Sequence, residues 1–212
     1  MILRLDKSNF YTTCDMLAGK DAALGNIISQ FGYPPFWSRK PGFETLIHII
    51  LEQQVSLASA KAAMLKLQQK IKRVAPGQFS ALSDEELKDC YFSRQKIRYS
   101  RELAQALISR QLNLKKLVAL PDEEVKLTLK KLPGIGEWTT DVYLMMALHR
   151  ADCFPLGDIA LVNSLKAVKM LPTATTKDEL ALIADSWKPF RTAAAYLLWH
   201  SYLSKKALRY GV

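Results

Sequence analysis

Hydrophobic residues recur at helical spacing along almost the whole chain. After Ser56, a suitable N-cap, the apolar positions follow one another at intervals of three and four residues, at Ala60, Ala63, Met64, Leu67 and Ile71. The segment 43–53 is apolar on all sides, which predicts a buried helix. No alternating apolar and polar run is long enough to indicate a strand, so the pattern predicts an all-α fold.

Residues typical of helix starts divide the rest of the chain. Ser83 and Glu86 have the spacing of a capping box. The other predicted helices begin at or just after Ser93, Pro121, Glu137, Asp158, Asp178 and Pro189, and the last four end near His149, Val168, Trp187 and Leu203. The linkers are short, and the sequence shows neither internal repeats nor low-complexity segments.

Charge is the first indication of a partner. The 212 residues include 30 Lys and Arg against 20 Asp and Glu, a formal net charge of +10. Such a surplus favours polyanionic partners, nucleic acid first and an anionic membrane surface second, although many soluble proteins are simply basic. The start, MILRLDKSNF, does not have the pattern of a signal peptide, and no apolar run approaches the length of a membrane span. We expect a cytosolic protein, or a nuclear one in a eukaryote.

The cysteines and histidines do not indicate a metal site. Cys14, Cys90 and Cys153 are far apart and form no CxxC pair, so neither a zinc site nor an iron–sulfur cluster is expected. The histidines show no ligand spacing either; they are His48, His149 and His200.

The most informative segment is LPGIGEWT at 132–139, between two predicted helices. Pro133 ends the first helix, Gly134 and Gly136 permit a tight turn with positive φ, and Ile135 can anchor that turn in the core. The free N–H groups at the start of the next helix then form an anion site, which can hold a DNA phosphate without regard to base sequence. A bare PGxG would instead favour an ordinary glycine-capped corner.

A second unusual segment, FPLGD at 154–158, follows about twenty residues later. Pro155 and Gly157 predict an irregular loop, and Asp158 lies just before the next helix. Asp158 can cap that helix and can at the same time serve as a catalytic carboxylate.

These two segments together resemble the helix-hairpin-helix family of DNA glycosylases, in which the hairpin is followed by a Gly/Pro-rich loop that ends in the catalytic aspartate. IILEQQVS at 49–56 resembles the family's segment that meets the minor groove. WKPFR at 187–191, with Tyr196 and Trp199, resembles the C-terminal helices of the alkylbase branch, similar to 3-methyladenine DNA glycosylase II but without its N-terminal β-rich domain. The resemblance covers about residues 41–203.

The resemblance implies two helical lobes with an active-site cleft between them. Residues 1–43 with 153–212 would form the terminal lobe, and residues 44–152 the central lobe, with the helix-hairpin-helix at about 122–149. The implied activity is that of a monofunctional glycosylase, which flips cationic methylpurines such as 3-methyladenine or 7-methylguanine out of duplex DNA and hydrolyses the N-glycosidic bond.

The same resemblance assigns roles to individual residues. Asp158 would be catalytic, either by stabilising the cationic sugar or by orienting water. Trp138 occupies the position of the lysine of bifunctional members, so no lyase activity is expected. The base pocket would contain Trp138, Trp199 and Tyr143, where a cationic base over an indole gains roughly 1–2 kcal/mol, although core packing is the alternative for each tryptophan. Tyr33, Phe36 and Trp37 could supply a further aromatic wall or form a small apolar cluster.

DNA would be bound by the hairpin and by its basic and amide-bearing surroundings. These residues are Gln53, Gln54, Lys130, Lys131, Gly134, Ile135, Gly136 and Arg191. Where the best-known relative has a tyrosine in the base pocket, this sequence has Val142. Gln54 replaces the apolar residue that, in that relative, serves as a wedge in the base stack at the place of the flipped nucleotide. For the basic run at Arg94, Lys96, Arg98 and Arg101 the default interpretation is a solvated helix face.

The resemblance also limits cofactors and partners. The family hairpin often holds a monovalent cation through backbone carbonyls, here those of Lys130, Leu132 and Ile135, and no other cofactor is expected. The partner would be double-stranded DNA with alkylated bases, and the protein would act as a monomer.

One alternative is a non-catalytic helix-hairpin-helix protein, which would lack the Gly-Asp loop. The other is a glycosylase for mismatched or oxidised bases, although the four-cysteine cluster usual in the mismatch-adenine branch does not follow Cys153.

Overall fold

The computed structural model of the protein describes residues 2–210. Within this range the chain forms thirteen helices: α1 Phe10–Lys20, α2 Ala22–Phe31, α3 Phe43–Glu52, α4 Leu57–Lys70, α5 Pro76–Ser80, α6 Asp84–Asp89, α7 Arg94–Ile108, α8 Leu114–Leu117, α9 Asp122–Leu129, α10 Glu137–Met146, α11 Ile159–Val168, α12 Lys177–Asp185 and α13 Arg191–Tyr210. The all-α prediction is confirmed, since β pairing in residues 2–210 is limited to one isolated bridge between Arg4 and Arg150. A search of the same residues found no helix with the length and hydropathy needed to cross a membrane.

The chain divides into two compact units. The central unit is Arg39–Tyr143, and the terminal unit combines the chain up to Ser38 with the chain from Leu144 onward.

The central unit forms around α3, which is apolar on nearly every side. Leu46, Ile47, Ile49 and Ile50 of this helix are fully buried, as the continuous apolar run predicts. The other helices of the unit begin where their caps predict. The hydroxyls of Ser56 and Ser93 accept hydrogen bonds from backbone N–H groups in the first turns of α4 and α7, and Ser83 with Glu86 forms the capping box of α6; these predictions are confirmed.

The terminal unit is built around α13, which packs against α1, α2 and α11. The run from Ala193 to Leu198 is completely buried, because the neighbouring helices enclose α13 along this stretch.

The predicted boundaries of three helices in or near the terminal unit differ from the observed ones by one to seven residues. Helix α10 ends at Met146 and does not reach His149, whose φ of +55° is incompatible with a right-handed helix. Thr176 and Glu179 form a capping box, so α12 begins at Lys177. Helix α13 begins at Arg191 and continues to Tyr210, well beyond the expected end at Leu203.

Candidate functional site

The hairpin between α9 and α10 is a tight turn held by its own backbone. The N–H of Leu132 donates to the carbonyl of Leu129 at 3.1 Å, and the N–H of Ile135 donates to the carbonyl of Leu132 at 3.2 Å. The side chain of Ile135 is 5% exposed, so it anchors the turn in the core as predicted. Helix α10 begins two residues later, and its first N–H groups lie at the end of the turn.

The two hairpin glycines serve different purposes. Gly134 has a φ of +81°, and a Cβ at this position would clash with the ring of Tyr99. Gly136 does not have a positive φ, so the prediction of left-handed backbone at both glycines is wrong for this one. A Cβ at Gly136 would have no neighbour within 4 Å. Gly134 is therefore required by the fold, whereas Gly136 leaves open space beside the first amides of α10.

Gln53 connects the end of α3 to this hairpin. Its side-chain Nε2 donates to the carbonyl of Gly134 at 2.8 Å and to the hydroxyl of Thr139 at 2.9 Å. The sequence analysis assigned Gln53 to DNA binding, but the structure shows its amide nitrogen hydrogen-bonded to the turn. The next residue, Gln54, is exposed and has a φ of +57°. A side chain in this left-handed conformation is unusual, and such strain is concentrated at functional positions.

Two of the predicted phosphate-binding cations form ion pairs within their own units. Lys130 pairs with Glu137, and the hydrogen bond from Lys130 lowers the pKa of the Glu137 carboxyl. Arg191 holds Asp152 with two nitrogens, at 2.7 and 3.0 Å, and also contacts Asp185 at 3.2 Å. Lys131 is exposed and makes no ion pair with any residue in the range 2–210. Of these three predicted contacts, Lys131 is therefore the one whose charge is not offset by an adjacent carboxylate.

The aromatic residues predicted for the base pocket differ in accessibility. Trp138 is half-buried on the first turn of α10. Tyr143 is fully buried, and this burial raises the pKa of its hydroxyl to about 12. Its ring therefore packs in the core and does not line an accessible pocket in this structure. Val142, which replaces the expected tyrosine, is also buried.

Asp158 lies at the start of α11, held by partners from two elements. Its Oδ1 accepts a hydrogen bond from the N–H of Leu161 at 2.8 Å, which makes Asp158 the N-cap of the helix, as predicted. The same oxygen accepts a hydrogen bond from the indole Nε1 of Trp199 at 3.1 Å. The carboxylate is partly exposed, and the N-terminus of α11 stabilises its negative charge.

Aromatic side chains of the terminal unit surround Trp199. The ring of Tyr196 is stacked on it at 5.9 Å, and that of Trp37 meets its edge at 6.4 Å. Phe36 belongs to the same cluster through Tyr196. Tyr33 instead contacts Tyr11 and donates a hydrogen bond to Asp15. The sequence left open whether these N-terminal aromatics form a wall or an apolar cluster, and the structure places Trp37 directly against the tryptophan that holds Asp158.

This arrangement limits the chemistry available to Asp158. Two donors on one oxygen fix the orientation of a partly exposed carboxylate. A carboxylate held in this way can stabilise a positive charge that develops beside it, or can orient a water molecule. Within the described residues no group of three or more His, Cys, Asp or Glu side chains could hold a metal ion.

Comparison with known proteins gives a consistent family assignment. The chain matches the HhH-GPD superfamily of base excision DNA repair proteins over residues 47–189. It is 31% identical over 196 residues to DNA-3-methyladenine glycosylase 1 of Schizosaccharomyces pombe, a match that covers 86% of this chain and 83% of that protein.

Other relatives are matched over different shares of their length. The solved structure of the Schizosaccharomyces pombe 3-methyladenine DNA glycosylase in complex with abasic DNA superposes with a TM-score of 0.83, at 28% identity, over 89% of this chain and 95% of that chain. A Bacillus subtilis DNA-3-methyladenine glycosylase is 30% identical over 118 residues, which is 56% of this chain and 39% of that protein. A second Bacillus subtilis relative, the putative DNA-3-methyladenine glycosylase YfjP, is 32% identical over 126 residues. The chain spans less than half the length of these two relatives, 44% of YfjP and 39% of the other.

Proposed function

Because the chain belongs to the HhH-GPD superfamily of base excision DNA repair proteins, we propose that it is a monofunctional DNA glycosylase that removes alkylated purines from duplex DNA. The observation that carries this proposal is Asp158, a partly exposed carboxylate whose orientation is fixed by the N–H groups of Leu161 and Trp199. The names of the relatives indicate the substrate class, because the fission-yeast protein that matches most of the chain is a 3-methyladenine glycosylase.

The reaction breaks the bond between C1′ of the sugar and a nitrogen of the base. A purine methylated at N3 or N7 is already cationic, so the bond electrons move onto the base without prior protonation. The sugar becomes an oxocarbenium-like cation, which the fixed negative charge of Asp158 stabilises. Water then forms the new bond to C1′ and loses a proton, either to the Asp158 carboxylate or to solvent. An ordinary glycosidase needs a second carboxyl group to protonate its leaving group, and a cationic base removes that need.

The hairpin supplies a backbone contact that does not depend on sequence. The first N–H groups of α10 and the open space beside Gly136 suit a DNA phosphate. Carbonyl oxygens at Lys130, Leu132 and Ile135 are ligands that suit a monovalent cation, and the Leu132 oxygen keeps a second lone pair after accepting from Ile135. Such a cation would add positive charge beside the phosphate.

Trp138 is the basis for proposing that strand cleavage does not follow base removal. It occupies the position at which bifunctional members carry their lysine, and an indole cannot form a Schiff base with the sugar. The product is then an intact strand with an abasic site. Borohydride treatment during turnover should trap no covalent complex between protein and DNA, whereas a robust adduct would contradict the monofunctional assignment.

The decisive experiment measures base release from methylated DNA, together with a panel of duplexes that each carry one lesion. The expected result is release of 3-methyladenine or 7-methylguanine by the wild-type protein and its loss in Asp158→Asn. Binding without release from any duplex would favour a non-catalytic DNA-binding protein. Release restricted to mismatched or oxidised bases would assign the protein to another branch. We propose a monomer that acts where chromosomal DNA is found, in the cytoplasm or, in a eukaryote, in the nucleus.

A further inference from the structure

The basic residues at the start of α7 fall into two pairs. Lys96 and Arg101 are used within the central unit itself. Lys96 donates to the carbonyl of Leu51 at 2.7 Å, and its partial burial lowers the pKa of the ammonium group. Arg101 donates to Asp84 at 2.6 Å and to the carbonyl of Leu82 at 2.9 Å. Their charges and donors therefore have structural partners.

Arg94 and Arg98 have no such role. Both are exposed, and neither forms an ion pair with any residue in the part of the chain that the structure describes. They lie one helical turn apart, so their charges project from the same side of α7. Like charges at this spacing destabilise a helix by a few tenths of a kcal/mol. No carboxylate of the described residues therefore offsets the charges of this pair, whereas an anionic ligand would do so.

The ring of Tyr99 lies between this arginine pair and the hairpin and contacts both. Tyr99 packs so closely on Gly134 that a Cβ there would clash with its ring. The guanidinium carbon of Arg98 is 5.3 Å from the centre of the same ring. The hydroxyl of Tyr99 accepts a hydrogen bond from Gln95 at 2.5 Å, which fixes the ring from the helix side. The arginines and the hairpin turn therefore belong to one continuous surface of the central unit.

We propose that this surface, the α7 basic face formed by Arg94, Gln95, Arg98 and Tyr99, is a second binding site for the DNA backbone. It binds phosphates that neighbour the one held by the hairpin amides, and it does so on damaged and undamaged duplex alike. Arginine suits this task because its planar guanidinium can hold two phosphate oxygens at once. The inference rests on the proposed function and extends it, since it adds backbone contacts to the hairpin and predicts their number.

The test compares two variants with the same change in charge. Arg94→Gln/Arg98→Gln removes two charges from the α7 basic face. Lys115→Gln/Lys116→Gln removes two exposed charges from α8 of the same unit and serves as the matched control. The affinity for an undamaged duplex is measured by fluorescence anisotropy from about 0.05 to 0.3 M salt, with thermal melting of each protein as a check of folding.

Each phosphate contact contributes about 0.9 to the slope of log affinity against log salt concentration. The slope of the arginine variant should therefore be smaller than that of the wild type by close to two units. At 0.1 M salt, one tenfold dilution below 1 M, this difference corresponds to about 60-fold weaker binding than the wild type. The lysine control should keep the wild-type slope. Equal effects of the two variants would overturn the inference, since they would show a response to net charge alone.

This outcome can be separated from failure of the proposed function. A wild-type protein that releases methylpurines, together with an arginine variant that behaves like the lysine control, refutes the α7 basic face and leaves the glycosylase assignment intact. A wild-type protein that neither binds duplex DNA nor releases a base refutes both.

Discussion

Gln54 offers a way to separate folding from catalysis, because its backbone is strained and its side chain is exposed. At a φ of +57° a non-glycine residue carries a penalty of about 1–2 kcal/mol, which glycine does not have. Glycine in turn loses about 0.5–1 kcal/mol through the greater freedom of the unfolded chain. Gln54→Gly should therefore leave the free energy of unfolding unchanged or raise it by up to about 1.5 kcal/mol, and each kcal/mol raises Tm by about 2–4 °C for a chain of this size.

The same substitution should slow base removal. Extrusion of a nucleotide costs a few kcal/mol of stacking and pairing, and a side chain at this turn can fill the gap that the base leaves. If Gln54 offsets about 1–2 kcal/mol of that cost, its removal slows excision by about 5- to 30-fold. The assay is single-turnover release of methylpurine from a defined duplex, followed with calorimetric or denaturant measurements of stability.

The chain provides matched controls for both effects. Met170 has a φ of +51° and is 90% exposed in the terminal unit, so Met170→Gly should give a similar change in stability with a wild-type rate of excision. Gln54→Leu keeps a side chain of comparable size and should excise at least as fast as the wild type. Wild-type excision by Gln54→Gly, or an equal slowing by Met170→Gly, would refute the assignment of Gln54 as the wedge.

Further predictions concern the carboxylates and the hairpin. Asp158→Asn should lower base release by about 100-fold or more while helix stability is kept, because Asn caps helices as well as Asp; circular dichroism and excision assays check both parts. Gly134→Ala should destabilise the protein by about 1–3 kcal/mol or more through strain and contact with Tyr99, whereas Gly136→Ala should leave stability nearly unchanged and weaken duplex binding, as melting and titration will show. Burial of Asp21 would raise the pKa of its carboxyl, but hydrogen bonds from Lys169 and the Trp187 indole outweigh burial and lower it. The stability contributed by Asp21 should therefore be fully present above pH about 4 and lost as the pH falls further, so the difference between wild type and Asp21→Asn should shrink in denaturation experiments at acid pH.

The sequence predicted the structural features that depend on residues close to one another along the chain, above all the starts of helices. The caps at Ser56, Ser83, Ser93 and Asp158 follow from side chains that bond to backbone a few positions away. The predicted end of α10 was wrong because it depends on the left-handed residue His149, for which the sequence gives no clear sign. The start of α12 depends on the capping box of Thr176 and Glu179, whose spacing is visible in the sequence but was missed.

Contacts between segments that are distant along the chain could not be predicted from the sequence. Gln53 lies 81 residues before the carbonyl that it binds, so the sequence resemblance assigned it to DNA binding and gave no sign of its hydrogen bond to the hairpin. The ion pairs of Lys130 and Arg191, and the burial of Tyr143, likewise depend on how helices are placed in space. For Asp158 the sequence indicated the cap and a catalytic role, but not the hydrogen bond from Trp199, which lies 41 residues further on. Stacking of Trp199 on a base stays a prediction, whereas the structure shows that its indole N–H donates to the Asp158 carboxylate.

The hydrogen bonds from Gln53 to the hairpin have a kinetic consequence. They join the turn that carries Gln54 to the hairpin turn for which we propose a phosphate contact, and they do so in the absence of DNA. Gln54, whose backbone is held in place in advance, would pay less ordering entropy when its side chain enters the base stack. Its contribution should then appear in the rate at which a nucleotide leaves the duplex, while the time spent on intact DNA is set by the backbone contacts alone.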